Sequence, residues 1–181
     1  MGVSEQRTAP IDMALHDHDG IICAITDNGQ AWCEHIDFVL TRIAELQPDV
    51  VQYLQNRLAG FGSFIDGIGA EGGFVLHAEE NPAKGYIALE AVPNNNVEDM
   101  RYTIAHELAH AYHRIRAADM DAAQGTKTEF TQRQLEEAAD KIVADDWGLP
   151  VPLRDMKAYD LVDALNVIQA ENAKKKTEHC D

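Results

Sequence analysis

Apolar positions along this chain repeat with two different periods, and the switches between them divide it into elements. Ile21 to Thr26 is a short apolar run closed by Gly20 and by Asn28-Gly29, which predicts a strand and a turn. From Glu34 to Leu46 the apolar residues are Ile36, Val39, Leu40, Ile43 and Leu46, one stripe along a helix. Pro48 opens a second helix at a position that needs no N–H donor; Val50, Val51, Leu54 and Leu58 repeat the stripe, and Gly60 is the expected stop. The glycine-rich stretch 60–73, with Phe61, Phe64, Ile65 and Ile68 scattered through it, reads as a loop. Gly73 to His77 and Gly85 to Ala91 read as strands connected across Asn81-Pro82. An Asn-rich loop (Pro93 to Asn96) leads to a helix over Val97 to Ala117, a polar loop over Asp119 to Thr128, and a further helix from Glu129 to Asp146 that ends at Gly148-Leu149-Pro150. A last helix is expected over Asp155 to Ala173, followed by a solvated tail at 174–181 that begins Lys174-Lys175-Lys176. Residues 1–19, with their His16-Asp17-His18-Asp19 run, are expected to form a flexible arm. Nothing divides the remainder, so the pattern predicts one α+β domain over residues 20–173.

Composition narrows what that domain does. Hydrophobic residues make up 45% and charged residues 25%, which suits a globular chain. Against 15 Lys+Arg stand 31 Asp+Glu, a formal charge of −16. Such a surface repels phosphate backbones and anionic lipid, so neither nucleic acid nor membrane is an expected partner. No apolar run reaches the roughly 18 residues a bilayer demands. The first twelve residues lack the basic and apolar regions of a signal peptide, and the three cysteines (Cys23, Cys33, Cys180) make no disulfide framework, so a cytoplasmic protein is expected.

The chemistry is concentrated in His106-Glu107-Leu108-Ala109-His110. Residues four apart on a helix share a face about 6 Å apart along its axis, so His106 and His110 can hold one metal ion. Neutral imidazole nitrogens suit Zn2+, and a catalytic zinc takes three protein ligands and leaves a position for water. The carboxylate of Glu107 then lies beside the metal, placed to take a proton from that water and return it to a leaving amine. The motif sits within a helical stripe (Tyr102, Ala105, Leu108, Ala109, Tyr112), which sets it apart from a chance match on a solvated helix.

A third ligand must come from elsewhere. His113 lies seven positions beyond His106, roughly 10.5 Å of rise, too far for bonds of about 2 Å to one ion. The next helix offers Leu135-Glu136-Glu137-Ala138-Ala139-Asp140. Glu136 and Asp140 share a face, so Glu136 can bind the metal while Asp140 accepts a hydrogen bond from the far nitrogen of a histidine ligand. Glu137 is the alternative ligand, although its direction about 100° away fits a solvated charge better.

With these residues in place, the chain resembles the ImmA/IrrE family of gluzincin-like zinc metallopeptidases over about residues 85–150. Arg101-Tyr102-Thr103-Ile104-Ala105-His106-Glu107-Leu108-Ala109-His110 is similar to that family's entry into its active-site helix. Glu136-Glu137-Ala138-Ala139-Asp140, with Val143-Ala144 and Leu149-Pro150, is similar to its second motif, in which Glu binds zinc and Asn or Asp follows four residues on. Asp140 stands where Asn is commoner, and the segment before Leu149-Pro150 is one residue longer. The resemblance implies a zincin-like fold: a small twisted sheet packed on the active-site helix, whose edge strand (73–77 or 85–91) holds an extended peptide by main-chain pairing. It also implies a peptide or protein substrate.

Two other groups invite a reading. His16, His18, Cys23, Cys33 and His35 lack the tight spacing of a structural zinc site, and a solvated arm with two core cysteines accounts for them better. Tyr86, Tyr102 and Tyr112 are each candidate donors to the oxyanion of a tetrahedral intermediate. The function expected is zinc-dependent peptide hydrolysis with Glu107 as general base; the alternative, suggested by the acidic surface, is a metal-containing interaction module with little turnover.

Overall fold

The computed structural model describes residues 13–18, 20–26, 29–65, 72–91, 93 and 96–152. The predicted C-terminal helix, the tail and the first twelve residues lie outside them. Strands β1 (Met13–His18) and β2 (Ile21–Thr26) pair antiparallel. Helices α1 (Ala31–Leu46) and α2 (Pro48–Arg57) then carry the chain over to β3 (Leu58–Ile65), which lies parallel to β2. Strands β4 (Gly72–His77) and β5 (Lys84–Glu90) complete a mixed five-stranded sheet of order β1-β2-β3-β5-β4, with β5 parallel to β3 and antiparallel to β4. Helices α3 (Val97–Gln124) and α4 (Gln132–Lys141) follow. No helix among the described residues is long and apolar enough to cross a membrane.

Alternation along β2 fixes which face of the sheet is inside: Ile21, Cys23 and Ile25 are buried while Ile22 is exposed. Their buried side chains join Ile87 and Leu89 of β5, Ile36, Leu40 and Ile43 of α1, Leu54 of α2, and Ile104 and Leu108 of α3 in one core. Each large side chain withdrawn from water there contributes roughly 1.5–3 kcal/mol before entropy is counted.

Four expectations need correcting. Residues 13–18 are not part of a flexible arm: they form β1, because His16 and His18 alternate with Leu15 and Asp17, and His18 is buried and hydrogen-bonded to Asp37 of α1. The stretch from 60 to 65 is strand and not loop. Glycine is what allows this: a Cβ on Gly60 would lie 2.1 Å from the carbonyl oxygen of Ile22, and φ there is +146°. Helix α3 does not stop at Ala117 but runs to Gln124, through Ala118, Ala122 and Ala123, and ends where Gly125 turns left-handed at φ 66°. Helix α4 begins at Gln132 and not at Glu129, because Thr131 and Gln134 cap each other reciprocally. Beyond Lys141 the helix widens into one π-type turn (Ile142–Asp146), and the buried Trp147 follows.

One polar cluster joins α2 to the far part of α3. The Arg57 guanidinium donates to both carboxylate oxygens of Asp119 at 2.9 and 2.7 Å, and Tyr53 donates its hydroxyl to the same carboxylate at 2.7 Å. Burial alone would push the Asp119 carboxyl up, but the hydrogen bonds from Arg57 and Tyr53 outweigh it and hold the carboxyl below its ordinary range. Asp119→Asn is therefore expected to cost about 1–3 kcal/mol in urea unfolding at pH 7, since two donors lose a charged acceptor. The sign in pH follows from the depressed value: the contribution is present above about pH 4 and is lost as acid titrates the folded carboxyl. The variant should thus lose less stability than the parent on acidification; equal acid limbs would refute the assignment.

Candidate metal centre

Every residue of α3 from Thr103 to Ala111 is buried, including His106, Glu107 and His110. A helix enclosed on all sides is ordinarily apolar all round, so three ionisable side chains in it require partners. Helix α4 supplies two of them. Its one buried residue is Ala139, and on the neighbouring turns Glu136 and Asp140 face α3.

His106 Nε2 and His110 Nε2 face each other at 3.0 Å. Glu136 lies against both, its Oε2 2.8 Å from His106 Nε2 and its Oε1 3.5 Å from His110 Nε2. Each of the three residues offers a ligand atom within 4.8 Å of the others, and they are the one such group among the described residues. A tetrahedral ion with bonds of about 2.0–2.1 Å holds its ligand atoms roughly 3.3 Å apart, so two nitrogens and a carboxylate at these separations fit one divalent cation.

Asp140 sits behind His106. Its Oδ1 is 3.0 Å from His106 Nδ1 and accepts a hydrogen bond from the Tyr102 hydroxyl at 2.7 Å. A carboxylate can only accept, so Nδ1 of His106 carries a proton toward Asp140, and Nε2 is the atom turned toward His110 and Glu136. His110 has no such support: its Nδ1 is buried with no hydrogen-bond partner among the described residues. Asp140→Ala should consequently weaken metal binding by about 10–100-fold in a competition titration against a chelator. An unchanged affinity would show that orientation of His106 contributes nothing.

The electrostatics agree with the geometry. Burial works against a charged His106, yet the hydrogen bonds to Asp140 and Glu136 overcome it and raise the imidazole to about 10. The same two histidines hold the Glu136 carboxyl well below the usual carboxylate range. Groups that bind a proton this firmly between them would bind a divalent cation there for the same Coulombic reason. Glu107 differs: burial pushes its carboxyl up, and its Oε2 has no hydrogen-bond partner among the described residues.

Glu107, His106, His110 and Glu136 line a cleft of about 430 Å³, together with Gly72, Gly73 and Phe74 of β4 and Arg114 of α3. Strand β4 crosses directly over the motif: a Cβ on Gly72 would meet Thr103 Cγ2 at 2.8 Å and Glu107 Cγ at 3.1 Å. Gly72 and Arg114 were not legible as site residues. The signal for the first was a Gly-Gly pair just ahead of the apolar run Phe74-Val75-Leu76.

The remaining candidates lie elsewhere. His113 packs its ring 5.0 Å from Phe130, outside the ligand group. Glu137 is exposed and accepts from Arg133 at 2.7 Å. Of the tyrosines, Tyr102 serves Asp140, Tyr112 accepts from Arg116 at 2.9 Å, and Tyr86 stacks on His77; none lines the cleft. Cys23 is buried and Cys33 partly so, and neither joins a converging ligand set with His16, His18 or His35.

Comparison of the chain with protein-family models, with curated proteins and with solved structures gives no significant match.

Proposed function

We propose that this chain is a zinc-dependent peptidase of zincin-like fold, with a gluzincin-like site of the kind its resemblance to the ImmA/IrrE family implies. The observation that carries the reading is the convergence of His106, His110 and Glu136 in a cleft that also holds a buried, unpartnered Glu107 oxygen. His106, His110 and Glu136 would hold the ion, and two nitrogens with one carboxylate oxygen make a donor set suited to zinc. When bound, zinc would polarise the scissile carbonyl and make water acidic enough to deprotonate near neutral pH. Glu107, with its carboxylate desolvated, takes that proton and delivers it to the departing amine. Asp140 and Tyr102 keep the His106 ring in register throughout.

The substrate's main chain has a natural partner. Strand β4 ends the sheet order among the described residues, so its outer edge is available to pair with an extended peptide. Gly72 lets the strand lie close over Glu107, where a Cβ would meet Glu107 Cγ at 3.1 Å. Zinc-loaded protein incubated with a mixed peptide library, with products read by mass spectrometry, should give internal cleavages. These should vanish on chelation and return with added zinc. Stoichiometric zinc with no cleavage across the library would overturn the proposal.

A further inference from the structure

Arginines among the described residues are almost all committed. Arg42 donates to the Trp147 carbonyl, Arg57 to Asp119, Arg101 to His35, Arg116 to Tyr112 and Arg133 to Glu137. Arg114 is the exception. Its guanidinium lies 5.4 Å from the centre of the Phe74 ring and makes no hydrogen bond or ion pair with any described residue. It is nonetheless half-buried, so its charge is partly removed from water, with Glu107 as the one carboxylate acting on it from a distance. A half-buried guanidinium whose five donors meet no acceptor among the described residues is an expensive feature unless something else binds them.

Its position says what that is. Arg114 follows His110 by four residues, one helical turn or about 6 Å further along the face that carries His106 and His110. It lines the metal cleft, and with Leu135 it also lines a second hollow of about 580 Å³. That hollow continues along β4 past Leu76 to Ala78, against Ala118, Ala122 and Phe130. The two hollows therefore form one groove between β4 and α3, with Arg114 at the neck. Of the carboxylates along it, Glu136 is held by the histidines and Asp121 by Thr126 and Thr128 at 2.7 Å, while Glu107 acts on Arg114 only from a distance. On a chain of formal charge −16, this is a local cationic point in a place a peptide would cross.

We infer that Arg114 is a specificity-determining residue that binds a carboxylate of the peptide lying in this groove, about two residues from the bond at the metal centre. The spacing follows from a rise of roughly 3.3 Å per residue in an extended chain. The planar fork of the guanidinium suits a two-point contact with a carboxylate, which a lysine would make less well. The carboxylate comes either from a Glu or Asp side chain or from the peptide's own C-terminus. The inference rests on the peptidase reading for the occupant of the groove, and its test does not depend on turnover.

The test uses zinc-loaded Glu107→Gln protein, so that ligands stay intact. Fluorescein-labelled, C-terminally amidated decapeptides of Ala and Ser, with a single Glu, Gln or Lys at each position in turn, are titrated by fluorescence anisotropy. A matching neutral peptide is tested with its C-terminus free and amidated. Glu should bind about tenfold tighter than Gln at one position, the scale of one charge-assisted hydrogen-bonded contact. Introducing Arg114→Gln should abolish the preference, Arg114→Lys should keep part of it, and Arg114→Glu should turn it toward Lys. If instead the free C-terminus carries the tenfold advantage and Arg114→Gln removes it, the carboxylate is the chain end. Glu and Gln bound alike at every position, with free and amidated ends also alike, would overturn the inference, as would a preference that survives Arg114→Gln at unchanged zinc content. Tight, Arg114-dependent binding by a wild-type protein that cuts none of these peptides would refute the peptidase reading and not this one.

Discussion

Glu107→Gln is expected to slow peptide hydrolysis by about 10³-fold while leaving zinc content and fold unchanged. Gln has the shape of Glu, so it fits the same space beneath Gly72 and beside Thr103 without opening a void. What it lacks is basicity. The parent carboxylate is buried, one of its oxygens lacks a hydrogen-bond partner among the described residues, and burial raises its affinity for a proton. Those are the properties of a general base, and an amide has no such affinity for a proton. The comparison requires kcat on a fluorogenic peptide and elemental analysis of the same preparation. A variant within about tenfold of the parent, with full zinc, would remove Glu107 from the reaction. A parent that never turns over, with a Glu107→Gln form that keeps its cellular role, would favour the interaction module instead.

How far the sequence reaches depends on the range of the interactions. His106, Glu107 and His110 were legible because helix geometry fixes their relation within one turn. Glu136 and Asp140 were legible as a pair for the same reason, although their meeting with the two nitrogens of His106 depends on how α4 lies on α3. Strand β3 was misread because Gly60 and Gly62 resemble loop residues when seen alone. The meaning of Gly60 is the closeness of β2, and that is a contact between distant parts of the chain. Strand β1 was hidden for a related reason: His16 and Asp17 look solvated until α1 brings Asp37 to His18. The extension of α3 was missed because Asp119 and Asp121 suggested a loop. In the fold Asp119 is bound by Arg57 and Tyr53, while Asp121 accepts hydrogen bonds from Thr126 and Thr128. Arg114 was silent in the sequence, since a charge without a partner among the described residues is visible only once the elements around it are placed.

Glu136→Ala should lower zinc affinity by about 10³-fold and remove most of the thermal stabilisation that zinc gives. A three-ligand site with a total binding energy on the order of 10–16 kcal/mol loses roughly a third of it with one ligand. The loss extends beyond the ion. Helix α4 buries only Ala139 within its own span, so apolar packing ties it weakly to α3. Glu136 and Asp140 are its polar links, and both converge on His106. A bound cation would turn that convergence into a cross-link between the two helices, stabilising the fold by about 4 kcal/mol when zinc exceeds its dissociation constant a thousandfold. Thermal unfolding with and without zinc should therefore separate the parent from Glu136→Ala, whereas Glu137→Ala should behave as the parent because Glu137 lies at the exposed surface, where it accepts from Arg133. Equal zinc-dependent shifts in the parent and Glu136→Ala would place the third ligand elsewhere. An equal loss in Glu137→Ala would mean that α4 sits on α3 through its other carboxylate.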